Sequence, residues 1–189
     1  MRKPPIRPER DRRMHALHTT RLRMRPIEER DEALYVALYS DEATMQFVGP
    51  TLSAAGARRS FQSALRTVSA SPARFVAIED AMTGARAGLC GLTHGAERAP
   101  ACEFGILLTA AARGRGFGFE ASVALIDFAF ATLPIDAVRV QYHRANAAAA
   151  RLFERIGLRP VPGAASSASC VRTTGRDDWF YRAAHNRGE

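Results

Sequence analysis

The hexapeptide Arg113-Gly114-Arg115-Gly116-Phe117-Gly118 separates two stretches of different hydrophobic period. Before it, residues 101–108 (ACEFGILL) form an apolar run of strand length. After it, Phe117, Ala121, Leu125, Phe128 and Thr132 recur at i, i+4 and i+7 spacing, the pattern of a helix with a buried side. Glycines in a strand-to-helix turn let backbone N–H groups approach an anion, and the helix N-terminus adds a favourable dipole. Two arginines in the same turn add permanent positive charge suited to phosphate. A Walker-type loop requires Gly-Lys-Ser/Thr, which is absent from this sequence. A dinucleotide fingerprint requires G-x-G-x-x-G, and Phe119 stands at the third glycine position counted from Gly114. An arginine/glycine-rich RNA segment is disfavoured, because this single occurrence lies inside an apolar periodic pattern. A diphosphate-binding turn of another kind remains.

The surrounding chain reads as alternating strands and helices. Residues 74–78 (RFVAI), 85–93 and 101–108 are three strands, with turn chemistry over residues 79–84 (EDAMTG) and 95–100 (GAERAP). Connections this short make the strands neighbours in an antiparallel meander. Upstream, residues 18–25 (HTTRLRMR) alternate at Leu22 and Met24 as a half-buried strand. Leu34, Ala37 and Leu38 mark a helix over residues 31–39, and residues 41–45 add a short helical turn. Ser53 is positioned to cap a helix carrying Ala57, Phe61, Ala64, Leu65 and Val68. Downstream, residues 137–144 (AVRVQYHR) put Val138, Val140 and Tyr142 on one strand face, and residues 146–156 form a helix ended by Gly157. Residues 160–169 read as a loop and residues 178–182 (DWFYR) as a closing strand. The class is α+β.

Composition bounds the rest. With 189 residues, 47% hydrophobic and 24% charged, the chain can bury a core and is not broadly disordered. No apolar run approaches the roughly 18 residues of a membrane span. Cys90, Cys102 and Cys170 show neither C-x-x-C nor zinc-ligand spacing, so neither a disulfide framework nor a metal is expected. No apolar signal core follows the basic N-terminus, which points to the cytoplasm. Residues 1–13 carry six basic side chains against two acidic ones, which is half of the net charge of +8. We therefore expect residues 1–17 to be a basic, disordered tail and residues 18–189 to be a single domain. The tail reads first as a solvated extension, and contact with RNA, DNA or an acidic partner is the lesser alternative. No aromatics interleave with its arginines, which disfavours nucleic acid as a partner. A homodimer is left open.

Residues 113–118 fit the R-x-x-G-x-G acetyl-CoA signature of the GNAT acetyltransferase superfamily, and Phe119-Glu120-Ala121 is similar to the Thr-Glu-Ala that often follows. Residues 20–25 (TRLRMR) resemble the opening strand of its RimJ/RimL-like branch, which acetylates N-terminal amines of ribosomal proteins. Residues 40–49 resemble that branch's first helical hairpin, residues 103–106 (EFGI) its fourth strand, and residues 146–157 (NAAAARLFERIG) its N-x-x-S-x-x-L-Y-E-K-x-G helix. The resemblance covers about residues 18–160. It implies a mixed, mostly antiparallel sheet of six to seven strands flanked by about four helices, splayed between the fourth strand (residues 101–108) and the fifth (137–144).

The resemblance also implies a site. Acetyl-CoA, the cosubstrate, would lie in the splay with its diphosphate on the turn formed by Arg113, Gly114, Arg115, Gly116, Phe117 and Gly118. Ile106, Leu107 and Leu108 would offer backbone groups to the pantetheine arm, and one of their amides could stabilise the oxyanion of a tetrahedral intermediate. Asn146 would hydrogen-bond the pantetheine, and Phe153 would lie along the cofactor. Glu103 is the candidate general base for a protonated amine, given enough burial to raise its pKa; a wet-face or salt-bridged Glu is the competing reading. His94 and His143 are runners-up. Many relatives carry Tyr at the position of Phe153 or Ser at that of Ala149 to protonate the leaving thiolate, and both hydroxyls are absent here. Departure of a thiolate near neutral pH costs only on the order of 2 kcal/mol, which water or Tyr142 could cover. The expected activity is transfer of an acetyl group to a primary amine, either a protein N-terminus or a small molecule, by direct attack. A non-catalytic acyl-CoA-binding or regulatory module is the alternative. Arg172 and Arg176 hint at an acceptor bearing a carboxylate.

Overall fold

A computed structural model describes residue 14 and residues 16–68, 71–94, 100–164 and 166–180. The basic segment 1–13 and most of the turn expected over residues 95–100 lie outside the described residues. The strands are β1 (Leu17–His18), β2 (Leu22–Pro26), β3 (Val76–Asp80), β4 (Arg86–His94), β5 (Ala101–Leu108), β6 (Ala137–His143), β7 (Arg159–Pro160) and β8 (Ser169–Gly175). The helices are α1 (Glu32–Tyr39), α2 (Glu42–Met45), α3 (Ala54–Val68), α4 (Phe117–Thr132) and α5 (Ala147–Ile156), followed by helical residues 176–180, termed α6. One sheet runs in the order β1-β2-β3-β4-β5-β6-β8-β7, and every neighbouring pair is antiparallel except β5 and β6.

The two faces of this sheet are covered differently. Cys90, Leu92, Cys102, Phe104, Val138, Val140 and Tyr142 point to one face, where Phe117, Ala121, Leu125 and Ile126 of α4 and Phe153 and Ile156 of α5 complete the larger core. Ala77 and Leu89 point to the other face and meet Leu34, Tyr35 and Leu38 of α1 and Phe61 and Ala64 of α3. The period of two along each strand makes this division, since successive side chains alternate between faces. On the second face the helical cover lies over β3 and β4, while Glu103 and Gly105 of β5 and Gln141 of β6 are exposed.

The structure differs from the expected elements in four places. Residues 18–25 do not make one strand, because Thr19 turns the chain: its N–H bonds the Leu22 carbonyl and its hydroxyl accepts from the Leu22 N–H. The result is the β1–β2 hairpin, and with the two-residue β7 it raises the strand count among the described residues to eight. The strand expected over residues 74–78 is shifted to β3, because Pro72–Arg74 form a 3-10 turn and Glu79 and Asp80 continue the strand. Part of the expected loop over residues 160–169 forms the edge of β8. Finally, the closing strand is β8, and the aromatic run expected to form it is helical through residue 180. Trp179 there donates its indole N–H to Asp127 Oδ1 (2.7 Å) and packs against Phe130 with centroids 6.3 Å apart.

Glu79 continues into the sheet because its charge is matched there. Arg25 of β2 is 3% exposed and Asp31, just ahead of α1, is 0% exposed. The Arg25 guanidinium donates to both Asp31 oxygens (2.6 and 3.0 Å) and to Glu79 Oε1 (2.6 Å). Arg86 of β4 adds a bond to Asp31 Oδ1 (2.7 Å). Two cations and two anions thus join three strands to the entry of α1. Burial alone would push the Asp31 carboxyl up, but hydrogen bonds from Arg25 and the Glu28 amide, with the charges of Arg25 and Arg86, hold it below the usual carboxylate range.

Candidate functional site

β5 and β6 pair only at Ala101–Ala137, Cys102–Val138 and Glu103–Arg139, although β5 runs on to Leu108 and β6 to His143. Beyond residue 103 they diverge, as expected. The β4 pairing shows which backbone groups this exposes. The Thr109 N–H donates to the Ala87 carbonyl, so odd-numbered residues of β5 turn their N–H and C=O groups toward β4. Phe104, Ile106 and Leu108 therefore turn theirs toward the gap. Leu107, grouped with Ile106 and Leu108 on sequence, is directed to β4 instead. The Leu108 carbonyl accepts from Arg113 Nε (3.2 Å). At Phe104 and Ile106, amide donors and acceptors line a slot with one strand missing, which suits an extended chain that carries amides.

The slot leads to the glycine turn. Gly114 (φ +71°) and Gly116 (φ +80°) are both left-handed, a conformation that costs a residue with a Cβ. Gly116 caps α4 without any side-chain cap, so the first amides of the helix are free of a competing side chain. A Cβ at Gly114 would meet nothing within 4 Å, and one at Gly118 would be only 3.4 Å from Leu108 Cδ1. The two arginines of the turn are held differently. Arg115 pairs with Asp80 Oδ2 (3.0 Å) and lies 4.3 Å above the Phe117 ring, so a carboxylate already offsets its charge. Arg113 donates to the Leu108 carbonyl and to Thr44 Oγ1 (2.7 Å), and the Asp41 carboxylate that accepts from the same hydroxyl feels its charge. Burial would raise the Glu120 carboxyl, but hydrogen bonds from Thr19 and from the Arg21 amide and guanidinium outweigh it and hold Glu120 below the ordinary Glu range. Phe119 is partly buried against the main core, with the Arg155 guanidinium 4.5 Å above its ring.

Glu103 stands at the point where the strands part, on the open face, opposite Thr93 and beside Arg139. It is exposed, so the burial expected of it is not found. With Arg139, Gln141, Val161 and Val171 it borders a cleft of about 370 Å³. Asn146 caps α5, its Oδ1 accepting from the Ala149 N–H (3.0 Å), which leaves the amide NH₂ as its donor. Phe153 is buried in the main core, edge-on to Phe104 (6.3 Å) and 5.6 Å from the Tyr142 ring. The Tyr142 hydroxyl accepts from Arg172 Nε (3.0 Å) on β8, the strand on the far side of β6 from the slot. Arg172 also donates to the Leu158 carbonyl, and Arg176 donates to the carbonyls of Phe130, Leu133 and Ile135. Both arginines are thus committed to the fold, contrary to the hint that they select an acceptor. His94 ends β4 opposite Cys102.

The segment around α2 spans the open end of the slot. Thr44 bonds Arg113 on one side, and Phe47 stacks on His143 at the end of β6 on the other (centroids 5.5 Å, interplanar 25°). Asp41 fixes this segment by accepting from the Thr44 N–H (2.7 Å). His143 Nδ1 accepts from the Ala145 N–H (3.2 Å), so the neutral ring carries its proton on Nε2. Sequence reasoning missed Thr19, Arg21, Asp80 and Thr44 as parts of this region. Their partners lie 35 to 101 residues away, and no local pattern encodes such pairs.

A family model described as an acetyltransferase (GNAT) domain matches residues 21–159. Among solved structures, the chain is similar to an acetyltransferase from Agrobacterium tumefaciens str. C58, at 29% identity over 85% of this chain and 94% of that one, with a TM-score of 0.73. It shares its fold with a spermidine N-acetyltransferase from Vibrio cholerae, solved with CoA and spermine (17% identity, 86% and 99% coverage, TM-score 0.73). The same holds for RimJ from Mycobacterium smegmatis, solved with CoA-disulfide (15% identity, 88% and 90% coverage, TM-score 0.67). No curated protein matches the chain in sequence. Among the described residues no helix is long and apolar enough to cross a membrane, and no His, Cys, Asp or Glu group is arranged to hold a metal ion. With the family model spanning more than half of the chain, and an eight-stranded mixed sheet that parts between β5 and β6 before a glycine turn, this chain belongs to the GNAT acetyltransferase family.

Proposed function

We propose that the chain transfers the acetyl group of acetyl-CoA to a primary amine, with residues 18–189 acting as one domain of the RimJ/RimL-like branch in the cytoplasm. The observation that carries this reading is the parting of β5 from β6 after Glu103, which leaves the backbone of Phe104 and Ile106 open along a slot ending at the glycine turn. The residues present fit coenzyme A. The turn is left-handed at two glycines and has no side-chain cap, Arg113 hydrogen-bonds the Leu108 carbonyl and Thr44 with the Asp41 carboxylate behind Thr44, and the slot offers amide partners to a chain that itself contains amides. Gly114–Gly118 amides and Arg113 would hold the diphosphate. Ile106, Leu108 and the Asn146 NH₂ would hold the pantetheine arm, with Phe153 behind it. When bound, the thioester supplies an activated acetyl carbonyl.

In this reading the amine nitrogen attacks that carbonyl directly, a C–N bond forms, and the C–S bond breaks as thiolate leaves. The Ile106 N–H is aimed into the slot where it would stabilise the oxyanion. Glu103 accepts the proton of the incoming ammonium, directly or through water, from the open face of the sheet. The attacking nitrogen sheds its second proton to solvent as the C–S bond breaks, and the leaving thiolate takes up a proton from solvent. Replacing Glu103 with Gln should lower turnover about 100-fold near neutral pH. The loss should shrink toward alkaline pH, where the amine arrives already deprotonated, and CoA affinity should not change. An unchanged pH–rate profile would make Glu103 a structural residue.

The test is thiol release from acetyl-CoA against peptides with varied N-termini alongside small amines. Thiol release that depends on an amine establishes the activity and names the acceptor class. The absence of hydroxyls at Phe153 and Ala149 favours one other reading, an acyl-CoA-binding module. CoA binding without turnover across the panel would select it. No CoA association at millimolar ligand would end both.

A further inference from the structure

Arg21, immediately before β2, reaches the glycine turn from 94 residues away. Its Nη1 donates to the Arg115 carbonyl (2.9 Å), its Nε donates to Glu120 Oε2 (2.8 Å), and its Nη2 completes the ion pair with the same oxygen (2.7 Å). Its backbone N–H donates to Glu120 Oε1 (2.8 Å), an oxygen that also accepts from the Thr19 hydroxyl. The guanidinium lies 5.1 Å from the centre of the Phe117 ring, and its Nη2 would be 3.1 Å from a Cβ on Gly116. The turn is thus held at its main chain by Arg21, while Asp80 holds the Arg115 side chain.

Two consequences follow from elementary geometry and charge. No described peptide bond is cis, so the carbonyl of residue 115 and the N–H of residue 116 point in opposite directions across one rigid plane. Fixing the Arg115 carbonyl on the Arg21 side therefore fixes the Gly116 N–H on the side away from it. The second consequence concerns Glu120, whose carboxylate lies in the first turn of α4, where the helix dipole would otherwise favour an incoming anion. Unpaired, that carboxylate would repel a diphosphate. Paired to Arg21, it is neutralised and also anchors the guanidinium that holds the turn.

We propose that Arg21 is a positioning residue for cofactor binding: it aims the Gly116 N–H out of the turn and cancels the Glu120 charge beside it. This rests on the reading that residues 113–118 take the diphosphate of coenzyme A. The experiment measures CoA affinity of the full chain by calorimetry, together with KM for acetyl-CoA and kcat. For Arg21→Ala the dissociation constant and KM should both rise about tenfold or more, the scale of one lost charge-assisted hydrogen bond, while kcat at saturating acetyl-CoA stays within about twofold. Arg21→Lys should fall between, because an ammonium can pair with Glu120 but cannot also span to the Arg115 carbonyl. Adding Glu120→Ala to Arg21→Ala should recover part of the affinity by removing the uncompensated carboxylate.

A folded Arg21→Ala protein that binds CoA within twofold of the wild type overturns the proposal, as does a fall in kcat with KM unchanged. If Arg21→Ala does not fold, Arg21→Lys and Glu120→Gln are judged by the same split between KM and kcat. Wild-type protein that fails to bind CoA would remove the acetyl-CoA reading itself, an outcome distinct from equal binding by wild type and variant.

Discussion

Replacing Asp31 with alanine should destabilise the protein by about 3–5 kcal/mol, the range for removing one member of a buried ion pair. Asp31 is fully buried and receives both Arg25 nitrogens, Arg86 Nη1 and the Glu28 N–H. Without it, Arg25 and Arg86 share the Glu79 carboxylate, and the buried Arg25 charge keeps only that pairing and the more distant Glu28 Oε1 (3.9 Å). For a domain of this size the loss corresponds to a fall in Tm of roughly 10 °C. The check is a urea titration, where the midpoint should drop with the slope unchanged. A loss below about 1 kcal/mol would show that water reaches the cluster and screens it.

The same residue gives a signed pH dependence. Folding depresses the Asp31 pKa, so its contribution is present above the unfolded value of about 3.9 and is lost as pH falls through the folded one. The stability difference between wild type and Asp31→Asn should therefore be constant near neutrality and shrink below about pH 4. Asn keeps one acceptor for Arg25 but no charge, so its cost at neutral pH should be smaller than that of alanine.

What could be read from the sequence depended on whether the deciding interaction was local. α4, α5 and β6 were legible because each carries its own period and its own stop signal, Gly157 being the clearest with its left-handed φ of +90°. Ser53 was legible as a cap for the same reason, its hydroxyl accepting from the Gly56 N–H. Glu79 and Asp80 were read as turn residues because carboxylates seldom enter a sheet. Glu79 is admitted by Arg25 and Arg86 from other elements, whereas Asp80 ends the strand and does serve the turn, accepting from the Met82 and Thr83 amides as well as from Arg115. β8 (SCVRTTG) has too few apolar residues to announce a strand, and it forms by pairing β6 along its whole length. Glu103 shows the complementary failure. Its apolar neighbours suggested burial, but alternation sends Cys102 and Phe104 into the core and Glu103 to the open face. The period of two was visible in the sequence, whereas which face lacked a helix over β5 and β6 was not.

Substituting Gly116 with glutamate should weaken CoA binding by more than about 100-fold, and the structure separates three contributions. A left-handed φ of +80° costs a residue with a Cβ about 1–2 kcal/mol, which the turn can relieve only by changing shape. The new Cβ would stand 3.1 Å from Arg21 Nη2, so the guanidinium that holds the Arg115 carbonyl must give way. The added carboxylate would compete with Glu120 for that guanidinium and place negative charge where the proposed ligand carries its own. Gly116→Ala introduces the first two effects without the third, and its loss of affinity should be smaller, about tenfold. Gly163→Glu supplies the matching control: its φ is +73°, nothing lies within 4 Å of the added Cβ, and it is remote in sequence from the turn. It should carry the backbone penalty in stability and leave CoA affinity unchanged. If calorimetry instead found Gly116→Glu binding CoA within a few-fold of the wild type, the diphosphate would have to rest elsewhere, and the roles proposed for residues 113–118 would fall while the family and the fold stood.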